Sequence, residues 1–226
     1  IVLLSTYISE RVDCDVSIDN DSRAMAYGEY MQGCAKGEKN VLFLNASWGV
    51  GLGMIIDGNL YKGKSGFSGE FGHIHAFDNE ILCHCGKKGC LETEASGSAF
   101  YRIFKERLKK GETSILKAKN GEGITLHDLV KATNQEDPLC IDILERIGHN
   151  LGMYVAGLIN LFNPELVILG GTLSLTGDFI LHAVRSAVLK YSLNLVNRDT
   201  HICISKLKDR AGVVGACMLA RNNVLQ

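Results

Sequence analysis

The chain of 226 residues has few of the features that mark membrane or secreted proteins. It holds only two prolines and one tryptophan, and no apolar run approaches the roughly 18–20 residues that span a bilayer. Its 24 basic and 25 acidic side chains leave a formal net charge of −1, without the basic excess that nucleic-acid binding favours. No signal peptide opens the chain, and most of its cysteines occur singly. We therefore expect a cytoplasmic protein that is not embedded in a membrane and whose cysteines are reduced.

Apolar side chains are abundant instead, and their spacing alternates between strand-like and helix-like periods. They make up 46% of the chain, enough to bury the core of one large domain or of two lobes. Strand patterns occur at 16–18, 40–46, 54–56, 166–169 and 201–205, and helical patterns at 1–10, 23–31, 96–110, 126–133, 137–161, 179–190 and from 211 onward. Strands that alternate with helices predict an α/β fold class.

One histidine and three cysteines have a spacing typical of a metal site: His73, Cys83, Cys85 and Cys90. Three thiolates and one imidazole are the ligands of a closed tetrahedral structural zinc site, and the intervening glycines allow the loop to double back. Scattered core cysteines or disulfide partners are the alternative, but these do not follow a Cys-x-Cys-x4-Cys pattern interleaved with glycine and lysine. The remaining cysteines are predicted to be free core thiols: Cys14, Cys34, Cys140, Cys203 and Cys217.

Carboxylates lie beside this cluster and at one predicted junction between a strand and a helix. Glu70 and Glu92 bracket the cysteines, and together with His73 they suit a polyhydroxylated ligand. Asp21 follows Asn20 where a strand is predicted to meet a helix, which is where α/β proteins collect ligands. A carboxylate there can accept a proton from a sugar hydroxyl as that oxygen attacks phosphorus. Alternatively, Asn20 or Asp21 only caps the helix.

Glycine-rich turns follow two predicted strands and are candidates for contact with phosphate, because such turns direct backbone N–H groups at an anion. The candidates are Gly49, Gly51 and Gly53 in the first turn and Gly170 and Gly171 in the second. Both turns have a second interpretation, since glycines equally permit a tight hairpin or a sharp turn from a strand into a helix.

Together these residues resemble the ROK family, which comprises bacterial sugar kinases and sugar-responsive repressors of the actin-like ATPase superfamily. The resemblance runs from Asn20-Asp21 to Ala211–Ala216 and is most specific between Gly66 and Glu92. It implies an actin-like, ribonuclease H-like fold of two lobes with the sugar in the cleft between them. The implied small lobe is incomplete and comprises residues 1–38 and a C-terminal helix over 212–226. The implied large, oligomerising lobe comprises residues 39–211, with a zinc loop at 69–92.

The resemblance also implies roles for the candidate residues. Asp21 corresponds to the general base of the kinases, and Asn20 to a residue that contacts the sugar. The counterparts of Glu70, His73 and Glu92 hold sugar hydroxyls, and the counterpart of His73 also binds zinc together with those of the three cysteines. The two glycine-rich turns correspond to loops that approach ATP, which kinase members use with magnesium.

Two departures from the family pattern bear on catalysis. Ser47-Trp48-Gly49 stands where the kinases usually have Gly-Thr-Gly, and the tryptophan is expected to crowd the phosphate path. The family's phosphate loop, Asp-x-Gly-x-Thr, would lie upstream of Ile1, as would any winged-helix domain. We therefore do not expect the chain as it stands to phosphorylate a sugar efficiently, and we expect DNA contact only through such an upstream domain.

The first hypothesis is the sugar-sensing portion of a ROK repressor, which forms a dimer or tetramer and binds a hexose or amino-sugar derivative. Its basis is Ser47-Trp48, together with Gly170-Gly171-Thr172 in place of a triple glycine. The alternative is an ATP-dependent hexose or N-acylhexosamine kinase, which the intact Asn20-Asp21 pair favours. A third hypothesis is a purely structural zinc fold that binds no ligand. It conflicts with the presence of all the candidate sugar-binding residues.

Overall fold

The structure, a computed structural model, describes residues 4–12, 14–116 and 123–225. Within them a mixed sheet has the strand order β3-β2-β1-β4-β5. The strands are β1 (Val41–Ala46), β2 (Val50–Ile56), β3 (Asn59–Leu60), β4 (Leu166–Gly170) and β5 (His201–Ile204). β1 runs parallel to β4 and β4 to β5, whereas β2 is antiparallel to both β1 and β3. The predicted α/β class is confirmed.

Helices cover both faces of this sheet. Their bounds are α1 (Leu4–Ser9), α2 (Asp21–Gln32), α3 (Glu92–Ala95), α4 (Gly97–Lys109), α5 (Leu126–Asn134), α6 (Pro138–Phe162), α7 (Asp178–Tyr191), α8 (Asn194–Asn197) and α9 (Ala211–Leu225). Helices α2 and α9 pack together on one face, and α3 to α7 lie on the other. Side chains that alternate along β1 enter both layers, Leu42 toward α3 to α7 and Phe43 toward α2. None of the helices in the described ranges is both long and apolar enough to cross a membrane.

The observed elements differ from the sequence predictions at two places. The segment 16–18, predicted as a strand, has no regular secondary structure and lies outside the sheet. Just after it, the carboxylate of Asp19 pairs with Arg23 and Lys62. Strand β2 begins at Val50 rather than at residue 54, because residues 47–49 alone complete the turn from β1. The helix predicted at 1–10 is present over Leu4–Ser9, and its first three residues lie outside the described ranges.

The early start of β2 changes the position of two candidate glycines. Gly51 and Gly53 pair with β1 inside the sheet, where they allow α2 to approach closely. A Cβ at Gly53 would lie 2.5 Å from the Cβ of Ala26 and 2.5 Å from the carbonyl oxygen of Ser22. Gly51 meets Ser22 in the same way and lines the cleft described below, whereas Gly53 is buried beneath α2. The structure thus gives both glycines a packing role.

The helix α2 packs on the sheet that residues 41–204 form, and α9 lies beside it. The side chains of Ala26 and Tyr27 on α2 pack in one apolar cluster with Phe43 and Ile168 of the sheet. This packing fixes the first turn of α2 at the edge where β1 and β4 end. The boundary between two lobes at residue 38 stays a prediction.

Asp137 starts the long helix α6 and joins it to the preceding loop. Its buried carboxylate accepts hydrogen bonds from the backbone N–H groups of Cys140 at 2.8 Å and Ile115 at 2.7 Å, and from the hydroxyl of Ser114 at 2.8 Å. Burial by itself raises the pKa of this carboxyl, but the three donors outweigh it and the pKa lies below its ordinary value of 3.8.

We expect Asp137→Asn to lower the free energy of unfolding by about 1–3 kcal/mol at pH 7, because an amide leaves one of the buried donors without an acceptor. The folded-state pKa of Asp137 is depressed, so its contribution is present above the unfolded pKa and is lost as the pH falls through the folded pKa. Urea unfolding at pH 7 and at stepwise lower pH should show a difference from wild type that narrows below about pH 4. The exposed Asp209→Asn is the control, and a difference that grew on acidification would contradict the assignment.

Candidate functional site

A polar cleft of about 350 Å³ opens where the parallel strands β1 and β4 end. This is the edge of an α/β sheet at which ligands usually bind. The cleft is lined by all the predicted sugar-binding residues and by several others: Asn20, Asp21, Glu70, His73 and Glu92, with Ser22, Asn45, Ser47, Trp48, Gly49, Val50, Gly51, Gly69 and His84. The structure therefore brings the two separately predicted groups, at 20–21 and 70–92, to one cavity.

The sequence left open whether Asn20 and Asp21 cap a helix or face a ligand, and their contacts in the structure differ. Asn20 is the N-cap of α2, and its Oδ1 accepts the backbone N–H of Arg23 at 3.1 Å. Asp21 is the first residue of α2, with Oδ1 accepting the N–H of Ser22 at 2.7 Å and Oδ2 accepting Asn45 Nδ2 at 3.2 Å. The positive end of the helix dipole also favours a carboxylate at this position. The carboxylate of Asp21 is therefore oriented in the cleft by two donors, while Asn20 caps the helix.

A chain of hydrogen bonds runs from Asp21 to the second glycine-rich turn. Asn45 donates to Asp21 and accepts the hydroxyl of Ser47 at 2.7 Å, and Ser47 Oγ accepts the N–H of Thr172 at 3.1 Å. Gly171 has a φ of +79°, and a Cβ there would lie 2.5 Å from Asn45 Oδ1 and 2.5 Å from Ser47 Oγ. Glycine is therefore required at this position, and the two glycine-rich turns are joined by one serine hydroxyl. Gly170 ends β4 beneath the ring of Phe43.

The four predicted metal ligands also come together. The ligand atoms of His73, Cys83, Cys85 and Cys90 all lie within 4.8 Å of one another. Cys83 Sγ is 3.5 Å from His73 Nδ1, and Cys85 Sγ is 3.6 Å from Cys90 Sγ. A tetrahedral ion with Zn–S bonds of about 2.3 Å places its sulfur ligands about 3.8 Å apart, so the donor set fits zinc in both chemistry and size. The zinc ion itself stays a prediction.

The loop that carries the cysteines doubles back as its glycines predict. Gly86 has a φ of +87° and Gly89 a φ of +72°, both in the left-handed region that glycine adopts without strain. Backbone bridges join His75 to Cys90 and Leu82 to Lys88. The loop thus returns on itself within a few residues.

The thiols of this loop differ in their electrostatic surroundings. Burial raises the pKa of Cys83 to about 12 and also raises the pKa of Cys90. The backbone N–H of Lys87 lowers the pKa of Cys85, which is exposed. A bound divalent cation would favour the thiolate form of all three, because metal binding and thiol deprotonation are coupled.

Glu92 and His73 connect the cysteine cluster to the cleft. Glu92 is only 6% exposed, and its Oε2 accepts the N–H of Val50 at 2.9 Å. His73 has Nδ1 beside Cys83, while its Nε2 lies 3.8 Å from Glu70 Oε2 on the cleft side. One imidazole therefore has one nitrogen at the metal ligands and the other at the polar cavity. This is the geometry that a residue shared between metal and sugar requires.

Sequence reasoning missed several residues of the cleft, among them Asn45 and His84. His84 Nδ1 lies 2.8 Å from Glu92 Oε1, and its ring meets that of His73 edge-on with centroids 5.1 Å apart. The signal for His84 was its place between Cys83 and Cys85. The signal for Asn45 was an amide in an otherwise apolar strand, since a buried polar side chain needs a partner.

Comparison with known proteins identifies the class to which this fold and cleft belong. The family model "ROK family" matches residues 2–223, and the chain belongs to that family. It is 32% identical to a xylose repressor of Caldicellulosiruptor bescii over 99% of this chain and 56% of the repressor. It is 33% identical to a glucokinase of Halalkalibacterium halodurans over 96% of this chain and 67% of the enzyme. The chain thus spans little more than half the length of the repressor.

The solved structures that are similar to this chain also include both a transcriptional regulator and a kinase. A ROK family transcriptional regulator, a homologue of the E. coli MLC protein, superimposes with a TM-score of 0.85 at 31% identity, over 96% of this chain and 55% of the regulator. A ROK glucokinase from Streptomyces griseus in complex with glucose and AMPPNP superimposes with a TM-score of 0.87 at 30% identity, over 97% of this chain and 72% of the enzyme. The predicted actin-like ATPase fold is confirmed.

Proposed function

We propose that this chain is the sugar-binding effector portion of a ROK repressor and that it senses a hexose or an amino-sugar derivative. The observation that carries the proposal is the cleft of about 350 Å³, into which carboxylates, an amide and an imidazole converge from two distant parts of the chain. Such groups accept from and donate to ring hydroxyls, and a few convergent polar groups in one cavity are typical of a small-molecule site. Sugar kinases and sugar-responsive repressors among its relatives are consistent with this ligand class.

The predicted sugar ligands can still bond to hydroxyls in this arrangement, because a carboxylate oxygen that accepts one hydrogen bond has a second lone pair. The cap uses Oδ1 of Asn20, which leaves its Nδ2 to donate to a sugar oxygen. Glu70 and Glu92 accept hydroxyl protons, and zinc bound at Nδ1 of His73 would leave Nε2 to face the sugar. Zinc, when bound by His73 and the three cysteines, supplies the structural restraint that fixes this loop.

The surroundings of Ser47 and Trp48 favour sensing over phosphate transfer. The hydroxyl of Ser47 already donates to Asn45 and accepts from Thr172, so it is engaged within the protein rather than directed at a phosphate. Trp48 lines the cleft, with 57% of its surface exposed, beside the turn that approaches ATP in the kinases. In the proposed repressor, sugar binding shifts the protein toward a form with low operator affinity, through a DNA-binding domain upstream and within a homodimer or homotetramer.

The position of Asp21 favours the second candidate function, an ATP-dependent sugar kinase. Its carboxylate stands in the cleft at the start of α2 and is oriented by Asn45. There it is suited to accept the proton of an attacking sugar hydroxyl. Gly49 and the Gly170-Gly171 turn would then lie beside the phosphates of a magnesium-bound ATP.

Asp21→Asn in the full-length protein tests the two candidates. For a sensor, we expect calorimetry with a panel of hexoses and amino sugars to show binding that the substitution weakens about 10- to 100-fold, because a charged hydrogen-bond acceptor is lost. A coupled ADP-release assay should then show no sugar-dependent turnover. Asp15→Asn, an exposed carboxylate nearby, is the matched control.

The opposite result would favour the kinase hypothesis over the sensor hypothesis. Robust ADP release with one sugar, abolished by Asp21→Asn and retained by Asp15→Asn, contradicts a function restricted to sensing. Sequencing the gene across the codon of Ile1 gives an independent check. A helix-turn-helix there supports the repressor, and a chain that starts near an Asp-x-Gly-x-Thr loop supports the kinase.

A further inference from the structure

Two cysteines outside the cleft lie side by side, although they are 169 positions apart in the chain. Cys34 follows the end of α2, Cys203 lies on β5, and their Sγ atoms are 3.5 Å apart. Both are half-buried. All five remaining cysteines are free, as predicted, and Cys140 and this pair pack in or against the core. The predicted core position is wrong for Cys14 and Cys217, which are exposed.

We propose that Cys34 and Cys203 are a modification site, at which a hydroperoxide converts the two thiols into a reversible cystine. A disulfide has an S–S bond of about 2.05 Å, so the two sulfur atoms must approach each other by about 1.5 Å. Both residues are only partly buried, so that each retains some exposure to a small oxidant.

A buried carboxylate holds the two segments together. Glu29, fully buried on α2, accepts the N–H of Cys34 at 2.9 Å and the thiol of Cys34 at 3.2 Å. It also accepts the hydroxyl of Ser205 at 2.6 Å and the N–H of Leu207 at 2.7 Å, just beyond β5. The end of α2 is therefore fixed to the end of β5, and the sulfur atoms stay in register.

The same contacts distinguish the two thiols. The hydrogen bond with Cys203, burial and the negative charge of Glu29 all raise the pKa of Cys34. The hydrogen bond between the two thiols lowers the pKa of Cys203. Cys203 is therefore the sulfur that attacks, since thiolates rather than thiols react with peroxides.

The reaction balances with hydrogen peroxide as the oxidant. Cys203 thiolate attacks one oxygen atom, the O–O bond breaks, and water leaves after protonation, which gives a sulfenic acid. The sulfur of Cys34 then attacks the sulfenic sulfur, the S–O bond breaks, and the leaving hydroxide takes up the thiol proton of Cys34 to leave as a second water. Two thiols lose two electrons and two protons, and one peroxide is reduced to two waters.

The remaining cysteines serve as internal comparisons. Other thiols lie close together inside the predicted zinc set, for example Cys85 and Cys90, whose Sγ atoms are 3.6 Å apart. Zinc, if bound there as predicted, would protect those thiols, whereas Cys34 and Cys203 lie outside that set. Oxidation of the pair would tie α2, whose first residue is Asp21, to β5.

The test treats the full-length, zinc-supplemented protein with limiting hydrogen peroxide, alkylates it with N-ethylmaleimide and maps peptides without reduction. We expect a cross-linked peptide pair that contains Cys34 and Cys203, a loss of two free thiols and a higher melting temperature, because a long loop is closed in the unfolded chain. Dithiothreitol should reverse all three changes. Cys34→Ser and Cys203→Ser should lose them, and Cys140→Ser should retain them.

Several outcomes would overturn the proposal. One is oxidation of the two cysteines without a cross-link in the wild-type protein. Another is cross-linking of Cys14 or Cys217 at the same frequency as Cys34 with Cys203. A third is a melting temperature that rises equally in the Cys34→Ser variant. The mapping on unaltered protein keeps the test valid even where a serine variant folds poorly.

Discussion

Chelation of zinc is expected to abolish sugar binding, with a loss of affinity of at least about 100-fold. The physical reason is that the proposed sugar ligands lie on the same short loop as the predicted metal ligands. His73 has one ring nitrogen beside Cys83 and the other on the cleft side, and Cys90 is buried. Structural zinc in small peptides contributes apparent free energies of about 10–16 kcal/mol, far more than the few backbone bridges that otherwise close this loop. Glu70 and His73 should therefore lose their positions when the ion leaves.

Cys90→Ser is the mutational form of the same prediction. It should reduce the zinc content and the sugar affinity together, as measured by elemental analysis and calorimetry on one preparation. Cys14→Ser makes the same chemical change at an exposed cysteine outside the cluster and should alter neither. Circular dichroism separates local from global loss, because the sheet and the long helices lie outside this loop. A chelated protein that kept its sugar affinity would refute the coupling between metal and sugar.

The convergence of the four candidate metal ligands could be predicted from the sequence because most of them are close together in the chain. Three of the four stand within one loop, Cys83 to Cys90, and the glycines that turn the loop stand among them. Such a local constraint needs no knowledge of tertiary packing. The apolar elements of the core were predictable for a similar reason, since each carries its own period.

Contacts that depend on packing between elements were not predictable in this way. Asn45 reaches Asp21 because α2 lies directly on β2, and that approach depends on glycines that the sequence pattern placed in a turn. Cys34 and Cys203 meet because the end of α2 reaches β5, with most of the chain between them. The pleat places Leu42 and Phe43 on opposite faces of the sheet, but the sequence of β1 does not indicate which helix covers each face.

The position of Asp21 therefore depends on how closely α2 packs against its neighbours. On the side of α9, two glycines make that approach possible. A Cβ at Gly215 would overlap the carbonyl oxygen of Ala24, and a Cβ at Gly28 would overlap the carbonyl oxygen of Ala211. Both collisions are with backbone, which no side-chain rotation can relieve. The two helices would have to separate.

We accordingly expect Gly215→Ala to lower the free energy of unfolding by about 3 kcal/mol, since overpacking against backbone outweighs the better helix propensity of alanine. Gly212→Ala is the matched control on the same helix. Its Cβ would meet only side-chain atoms of Met25 at 3.7 Å, so the change should be neutral or stabilising by up to about 1 kcal/mol. Urea unfolding of the three proteins measures the difference.

The same pair of variants connects the packing of α2 to the cleft. Any Gly215→Ala protein that still folds should bind sugar more weakly than wild type, because a displaced α2 moves Asp21 away from Asn45. Gly212→Ala should bind as wild type does. Equal stability of the two variants would show that α9 can shift without cost, and the close contact at Gly215 would then not be what positions α2 and its carboxylate.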